Sequence, residues 1–488
     1  MMFSYAAESR DLTIKNNLML LISLFFYSHF INGQFYPGND QKLLFVGQDL
    51  ASVSNYRTNC TGCHNGHGEI AYLSFYTLEE SSIFIDVNRS IYYGGMGMDN
   101  NGNRDTNNTN WGAGILNLWT AAERSPLVAI GLSIVEDAFN GLDGLQNIID
   151  GNHDSKIVKM ATFFNQFPSN IFYLRIGYEF DGNWNAYDQT KYIGAYQRIV
   201  DVLRTNLSQD NVVYVWQSST SPIDDILDGG QENINAYYPG DDYVDWMGLS
   251  WFLLPNENPT VGSFTPATQL ALANELVSFA QSKGKPVMIA EASPQGYDLD
   301  AKTNCNISPV YDGTANQGCT NKTATQIYQE WFDELFNFVK NNDDVRALCY
   351  INTDWDSEFI WSAANNNYAS GYWGDSRVEI DADIRNSWIA SIEDPANNFL
   401  QTEDSSTIIN VLSIEDIIVP TQGVFVYPNP GIDIINLQGV SSDFSYDLYT
   451  TSGRKVAEGV GDKVDVSHLS RGIYLLKSEG FITRIIKQ

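Results

Sequence analysis

Between about residue 42 and residue 392 the chain repeats one hydropathy pattern. A short run of β-branched, aliphatic or aromatic residues gives way to a polar loop, then to a stretch in which apolar residues recur three or four apart. The short runs read as strands at Leu43–Gly47, Ser82–Val87, Leu127–Ile134, Ile171–Tyr178, Asn211–Trp216, Asp245–Ser250, Pro286–Ala290 and Arg346–Ile351. The helical period is clearest over Thr190–Arg204, Thr265–Lys283 and Thr323–Asn341. Eight strands alternating with helices predict an α/β fold, a (β/α)8 barrel rather than an open doubly wound sheet, and no glycine-rich phosphate loop argues for the latter.

Both ends depart from this pattern. Lys15 precedes the apolar run Leu18–Phe26, which is too short to span a bilayer and is soon followed by the loop-forming Tyr36-Pro37-Gly38. It reads as the core of a signal peptide over residues 1–33, with cleavage after Gly33. No second apolar stretch is long enough to cross a membrane. Residues 393–423, rich in Asp, Asn, Ser and Thr, read as a linker after a catalytic-size domain at 34–392. Residues 424–488 alternate short strands with turn signals at Ser452-Gly453-Arg454 and Arg471-Gly472, as a small β-sandwich would.

Charge narrows the partners. With 28 Lys and Arg against 59 Asp and Glu the formal net charge is −31, which repels phosphate backbones and anionic lipid headgroups. The 27 Tyr and 11 Trp favour neutral, hydroxyl-rich ligands, because sugar C–H faces stack on aromatic rings. A soluble monomer acting on a polysaccharide, without cofactor or metal, is the expectation.

In a (β/α)8 barrel chemistry sits at the C-terminal ends of the strands. The fourth strand runs into Tyr178-Glu179, and the seventh, Pro286–Ala290, runs into Glu291. A carboxylate drawn partly out of water at such a position costs free energy unless it is paired or used. The spacing between the two is what three βα units of about 37 residues occupy. Two glutamates facing each other across the mouth suit double displacement at an anomeric carbon, with one carboxylic acid protonating the leaving oxygen and one carboxylate attacking from the other face. Trp251 and Trp355, just past the sixth and eighth strands, are candidate floors for a sugar ring. Trp216 is balanced between that role and core packing, and Arg175 suits a cation holding carboxylates inside the barrel better than a direct substrate contact.

Cys60-Thr61-Gly62-Cys63-His64 matches the pattern for covalent haem attachment. Its polar loop offers no apolar bed for a macrocycle, so a loop disulfide is favoured over haem or a Cys/His metal site. Cys305 and Cys319 bracket a polar loop after the seventh strand and are a candidate bridge, and Cys349 reads as a buried free thiol.

Two resemblances sharpen the picture. The run Arg175-x-x-Tyr178-Glu179-x-x-Gly182-x-Trp184 resembles the signature of glycoside hydrolase family 26, and Pro286–Glu291 resembles that family's nucleophile strand. The resemblance implies a retaining β-glycanase with Glu179 as acid/base, Glu291 as nucleophile, and Tyr178 and Trp184 near the sugar. Tyr178 stands where the family's β-mannanases carry His, which leaves β-mannan and β-1,3-xylan both open as substrates. The blocks Tyr427-Pro428-Asn429-Pro430, Tyr449–Arg454 and Leu469–Lys477 resemble the C-terminal sorting domain of the type IX secretion system. That likeness implies export through both membranes by the type IX machinery, with release or surface attachment; a carbohydrate-binding sandwich is the alternative for the tail. For the whole chain, a non-catalytic glycan-binding barrel is the alternative reading, with a c-type haem protein behind it.

Overall fold

The computed structural model describes residues 35–75, 78, 84–86, 91–93, 95–105, 118–135, 143–231, 233–254, 265–305, 319–358, 361 and 371–412. In the tail it describes residues 425–429, 431–442, 444–450, 455–469, 472–478 and 481–487. The expected signal peptide and the stretch 413–423 lie outside the described residues. The chain divides into two compact units, one of them Phe35–Leu412, the other containing Ser413–Gln488.

Eight parallel strands close the barrel of the larger unit: β1 (Leu43–Val46), β2 (Gly68–Ser74), β3 (Leu127–Ser133), β4 (Ile171–Ile176), β5 (Val212–Ser218), β6 (Trp246–Trp251), β7 (Val287–Ala292) and β8 (Val345–Tyr350). Each strand pairs with its neighbours in sequence and β8 closes onto β1. Seven of the eight expected strands are present. The exception is Ser82–Val87, whose described residues Phe84–Asp86 form a short strand outside the barrel, paired with Ile91–Tyr93. The second barrel strand is instead Gly68–Ser74, whose Glu69 disguises it as a loop. Glu69 is fully buried and is satisfied by Arg57 (2.8 Å), Arg124 and Ser125 (2.6 Å), as a buried charge must be.

The period of two sorts each strand into an inner and an outer set. Leu43 and Phe45, Ile171 and Tyr173, Val213 and Val215, Trp246, Met288 and Ala290 fill the barrel. Phe172, Leu174, Tyr214, Trp216, Met247, Leu249 and Trp251 face the helices. Tyr173 and Trp246 meet edge to face at 5.3 Å, and Tyr36 packs on Trp246 from the N-terminal end. β7 breaks the alternation: its register with β6 slips between Leu249↔Ile289 and Ser250↔Glu291. Ala290 and Glu291 therefore both face the interior, a β-bulge that turns the glutamate inward.

The helices form where the period predicts, with local adjustments. Gln189–Asn206 is capped by Asp188, and Gln269–Lys283 begins later than expected because Thr268 accepts from the Ala271 N–H and fixes its start. Ala324–Asn341 is continuous but passes through a π-helical turn at Tyr328–Phe332. The larger unit also runs past residue 392, because Phe399, Leu400, Ile408 and Leu412 are buried in it. The stretch read as linker thus contributes core residues as far as Leu412.

Cys60–Cys63 and Cys305–Cys319 are disulfides, and Cys349 is a buried free thiol on the inner face of β8. Both sulfurs of the haem-like motif are thus joined to each other. His64 accepts from the Gly66 N–H (3.0 Å) and stacks beside His67, which is locked between the Leu44 N–H and the Leu400 carbonyl. Burial pushes the His67 imidazole down to about 3, so it is neutral. The tail is a β-sandwich of a three-stranded and a four-stranded antiparallel sheet around Ile435, Leu437, Leu448, Val464, Leu476 and Ile485. Among the described residues no helix is long and apolar enough to cross a membrane.

Candidate active site

Two backbone irregularities aim the glutamates. Past β4, Gly177 and Glu179 both adopt left-handed conformations, with φ of 54° and 53°. A side chain at Gly177 would strike Tyr192 and Ile134 within 2.8 Å, so glycine is required there. For Glu179 the same conformation costs about 1–3 kcal/mol. It is held by Asn185, whose Nδ2 donates to the carbonyls of Tyr178 (3.0 Å) and Glu179 (2.9 Å). Phe180 anchors the loop by stacking on Trp216 at 4.3 Å. On the other side of the mouth, the β7 bulge delivers Glu291.

The two carboxylates share one polar network. Arg175, fully buried on the inner face of β4, donates through Nη1 to Glu291 Oε1 (2.5 Å) and to Gln217 Oε1 (3.1 Å). Gln217 Nε2 donates to Ser250 Oγ (3.1 Å) and lies 3.4 Å from Glu291 Oε1. Ser250 Oγ donates to Glu179 Oε1 (2.8 Å), and Trp184 Nε1 donates to Glu179 Oε2 (2.8 Å). Above Arg175 sit two tyrosine rings, Tyr72 at 5.0 Å and Tyr178 at 5.4 Å from the guanidinium carbon, in edge-to-face contact with each other.

Electrostatics set the Glu179 carboxyl apart. Burial, then the negative Glu291 beside it, pushes it up to about 8, against the pull of the Ser250 and Trp184 hydrogen bonds. At neutral pH it holds a proton. Burial opposes the charge of Arg175, but Glu291, Tyr72 and Cys349 together outweigh it and the guanidinium stays protonated. Asp181, buried and held by Ser218 and the Ser219 N–H (2.6 Å), adds a further negative neighbour to Glu179.

Of the residues singled out in the sequence, Glu179, Glu291, Arg175, Tyr178 and Trp184 come together here. Trp184 is 48% exposed and its ring is available at the mouth. Arg175, by contrast, has no exposed surface; it seats Glu291 and cannot touch a substrate directly. Trp251 is not a sugar platform: it is the last residue of β6, one position past the inward Ser250, so it points outward and packs on Phe338 at 4.8 Å with no exposure. Trp216 also belongs to the outer core. Trp355 is 3% exposed, bonded through Nε1 to Ser293 Oγ (2.9 Å), and lies in a cluster with the partly exposed Phe252, Trp361 and Trp373. Tyr72, Gln217 and Ser250 were not anticipated. Gln217 and Ser250 carry a legible signal, a polar residue at the inward position of an otherwise apolar strand end; Tyr72 was hidden by the misplaced second strand.

Gly131 on β3 makes the seat for this network. A Cβ there would lie 2.9 Å from Arg175 Nη2 and Tyr72 Cδ1, and 3.1 Å from Tyr178 Cδ1. Gly131→Val should therefore cost about 1–3 kcal/mol by overpacking and reduce activity further by displacing Arg175. Thermal unfolding and initial rates on the same preparation check this; unchanged rates would show that Arg175 does not need its seat.

Residues 149–297 match the sequence family described as Glycosyl hydrolase family 26, and residues 425–488 match the Secretion system C-terminal sorting domain. A β-1,3-xylanase of a Vibrio species is 31% identical over 376 residues, covering 76% of this chain and 68% of that protein. A β-1,3-xylanase of an Alcaligenes species is 30% identical over 375 residues, covering 76% and 67%. Among solved structures, a modular endo-β-1,4-mannanase of Cellulomonas fimi aligns over 95% of this chain and 96% of its own at 14% identity and a TM-score of 0.44.

Proposed function

Because the chain belongs to glycosyl hydrolase family 26, we propose that this glycoside hydrolase is endo-acting, that its preferred substrate is β-1,3-xylan, and that Glu179 is its acid/base and Glu291 its nucleophile. The observation that carries the catalytic reading is the pair of inward glutamates at the ends of β4 and β7, one holding a proton and the other ion-paired with Arg175. The substrate reading is supported by the two β-1,3-xylanases that align over three quarters of the chain, and by Tyr178 in the position where the family's mannanases carry an imidazole.

In the first step the Glu291 carboxylate bonds to the anomeric carbon, the glycosidic C–O bond breaks, and the Glu179 proton passes to the leaving oxygen. Glu179, now ionised, takes a proton from water as the water oxygen attacks the same carbon and Glu291 departs as carboxylate. Two inversions retain the configuration. Arg175 keeps Glu291 oriented, and Trp184 holds the second oxygen of Glu179. Trp184, with Phe252, Trp361 and Trp373, offers aromatic surface to sugar rings.

The tail makes this an exported protein, secreted or held at the cell surface after passage through the type IX machinery. The function is tested by incubating the purified protein with β-1,3-xylan, β-1,4-xylan, β-mannan and mixed-linkage β-glucan. Oligosaccharides should appear from β-1,3-xylan at least about tenfold faster than from the others, a margin of roughly 1.4 kcal/mol in transition-state binding. Faster cleavage of mannan, or release of single xylose units alone, would overturn the substrate or the endo assignment.

A further inference from the structure

The two carboxylates are joined by a continuous path, and its two middle members, Ser250 and Gln217, have no part in the scheme above. From Glu179 Oε1 it runs to Ser250 Oγ (2.8 Å), from there to Gln217 Nε2 (3.1 Å), and on to Glu291 Oε1 (3.4 Å). Gln217 is fully buried and Ser250 is 1% exposed. The amide of Gln217 can face one way, because its Oε1 accepts from Arg175; its Nε2 must therefore donate toward Ser250. The backbone of Ser250 is also pinned, its carbonyl accepting from Thr220 Oγ1 (2.6 Å) and Gln269 Nε2 (2.9 Å). A hydroxyl has one proton to give. With Gln217 donating to the Ser250 oxygen, that proton goes to Glu179.

We propose that Ser250 is a positioning residue that sets how tightly Glu179 holds its proton, and that Gln217 ties this setting to the charge on Glu291. The proposal rests on the acid/base reading of Glu179. A donor aimed at a carboxylate stabilises its ionised form, so Ser250 opposes the groups that favour the proton. The proton is favoured by burial first, then by Glu291 from β7 and Asp181 from its own loop; Tyr72 from β2 stays an uncharged phenol, and the cation of Arg175 is taken up by Glu291. Without Ser250 the acid would hold its proton too well to become the base of the second step. When Glu291 is esterified, Gln217 Nε2 loses a charged neighbour and Ser250 becomes its better acceptor, which strengthens the donor offered to Glu179 as that residue must ionise.

The test is a titration of the Glu179 carboxyl by NMR in the full chain labelled with carbon-13 at the glutamate side-chain carboxyl, its resonance identified by loss in Glu179→Gln. Ser250→Ala should move the midpoint up by about one pH unit, a tenfold change in acid dissociation, and Ser250→Thr should restore it. The basic limb of kcat/KM should move with it. For an aryl glycoside with a good leaving group, kcat at neutral pH should fall several-fold while kcat/KM is held, since the second step needs ionised Glu179. An unmoved midpoint in Ser250→Ala, or one moved equally by Ser250→Thr, overturns the proposal. A midpoint that moves while the limb stays fixed leaves Ser250 in control of the proton and overturns the acid/base role of Glu179.

Discussion

Glu291→Ala is expected to stop turnover on every substrate, by about 10⁴-fold or more, because on the proposed mechanism it removes the carboxylate that forms the covalent bond at the anomeric carbon. A small anion such as azide, entering the vacated space, should restore part of the rate and give a glycosyl azide of inverted configuration. The wild type should give a first-formed sugar of retained configuration, read by NMR before mutarotation. Stability must be measured alongside, since the variant leaves Arg175 buried without its counter-ion, at a cost of about 3–5 kcal/mol. Glu291→Gln keeps a hydrogen-bond acceptor for Arg175 and separates the two effects. Inversion by the wild type, or near-normal activity of a folded Glu291 variant, would show the nucleophile to be elsewhere.

Removal of the second carboxyl should be selective. Glu179→Ala is expected to slow polysaccharide cleavage by about 10²–10⁴-fold, because a sugar leaving group needs the proton that this residue holds. An aryl glycoside with an acidic leaving group needs little protonation, so its first step should be nearly spared and the glycosyl-enzyme should accumulate. The pH dependence follows from the same proton. Activity of the wild type should fall as pH rises through about 8, and Glu179→Gln should lose that limb. Folding carries an imprint of the same sign: the raised carboxyl keeps its proton in the native state while the unfolded chain releases it, so wild-type stability should decline as pH rises from the ordinary glutamate range to about 8. Glu179→Gln should lack that decline. Equal losses on aryl and polymeric substrates would remove Glu179 from the proton transfer.

The glutamates were legible because each ends an apolar run, and the barrel was legible because its strands are apolar on both faces. What the sequence hid is instructive. Glu69 made β2 look like a loop, since nothing in a linear pattern announces that Arg57 and Arg124 converge on it. Trp251 looked like a platform because strand ends are uncertain by a residue or two, and one residue decides whether a side chain meets a sugar or the helix carrying Phe338. The polar stretch after residue 392 looked like a linker although Phe399, Leu400, Ile408 and Leu412 each bury a side chain, too sparsely spaced to show a period. The link between Gln217 and Ser250 crosses from β5 to β6 and depends on the register in which these two strands pair, which no local signal encodes.

The bulge in β7 has a bearing on any effort to make this protein more robust. Idealised strands are the usual route to higher stability, and a designer faced with Val287–Ala292 would be drawn to restore its pleat by repacking around Ala290. A regular strand would send the side chain after Ala290 outward among the helices, where Ile289 and Ala292 now pack, and strand Arg175 without its partner. The molecule so obtained could melt at a higher temperature and hydrolyse nothing. Thermostabilising substitutions are better sought on the outer helices, with residues 289–292 left as they are.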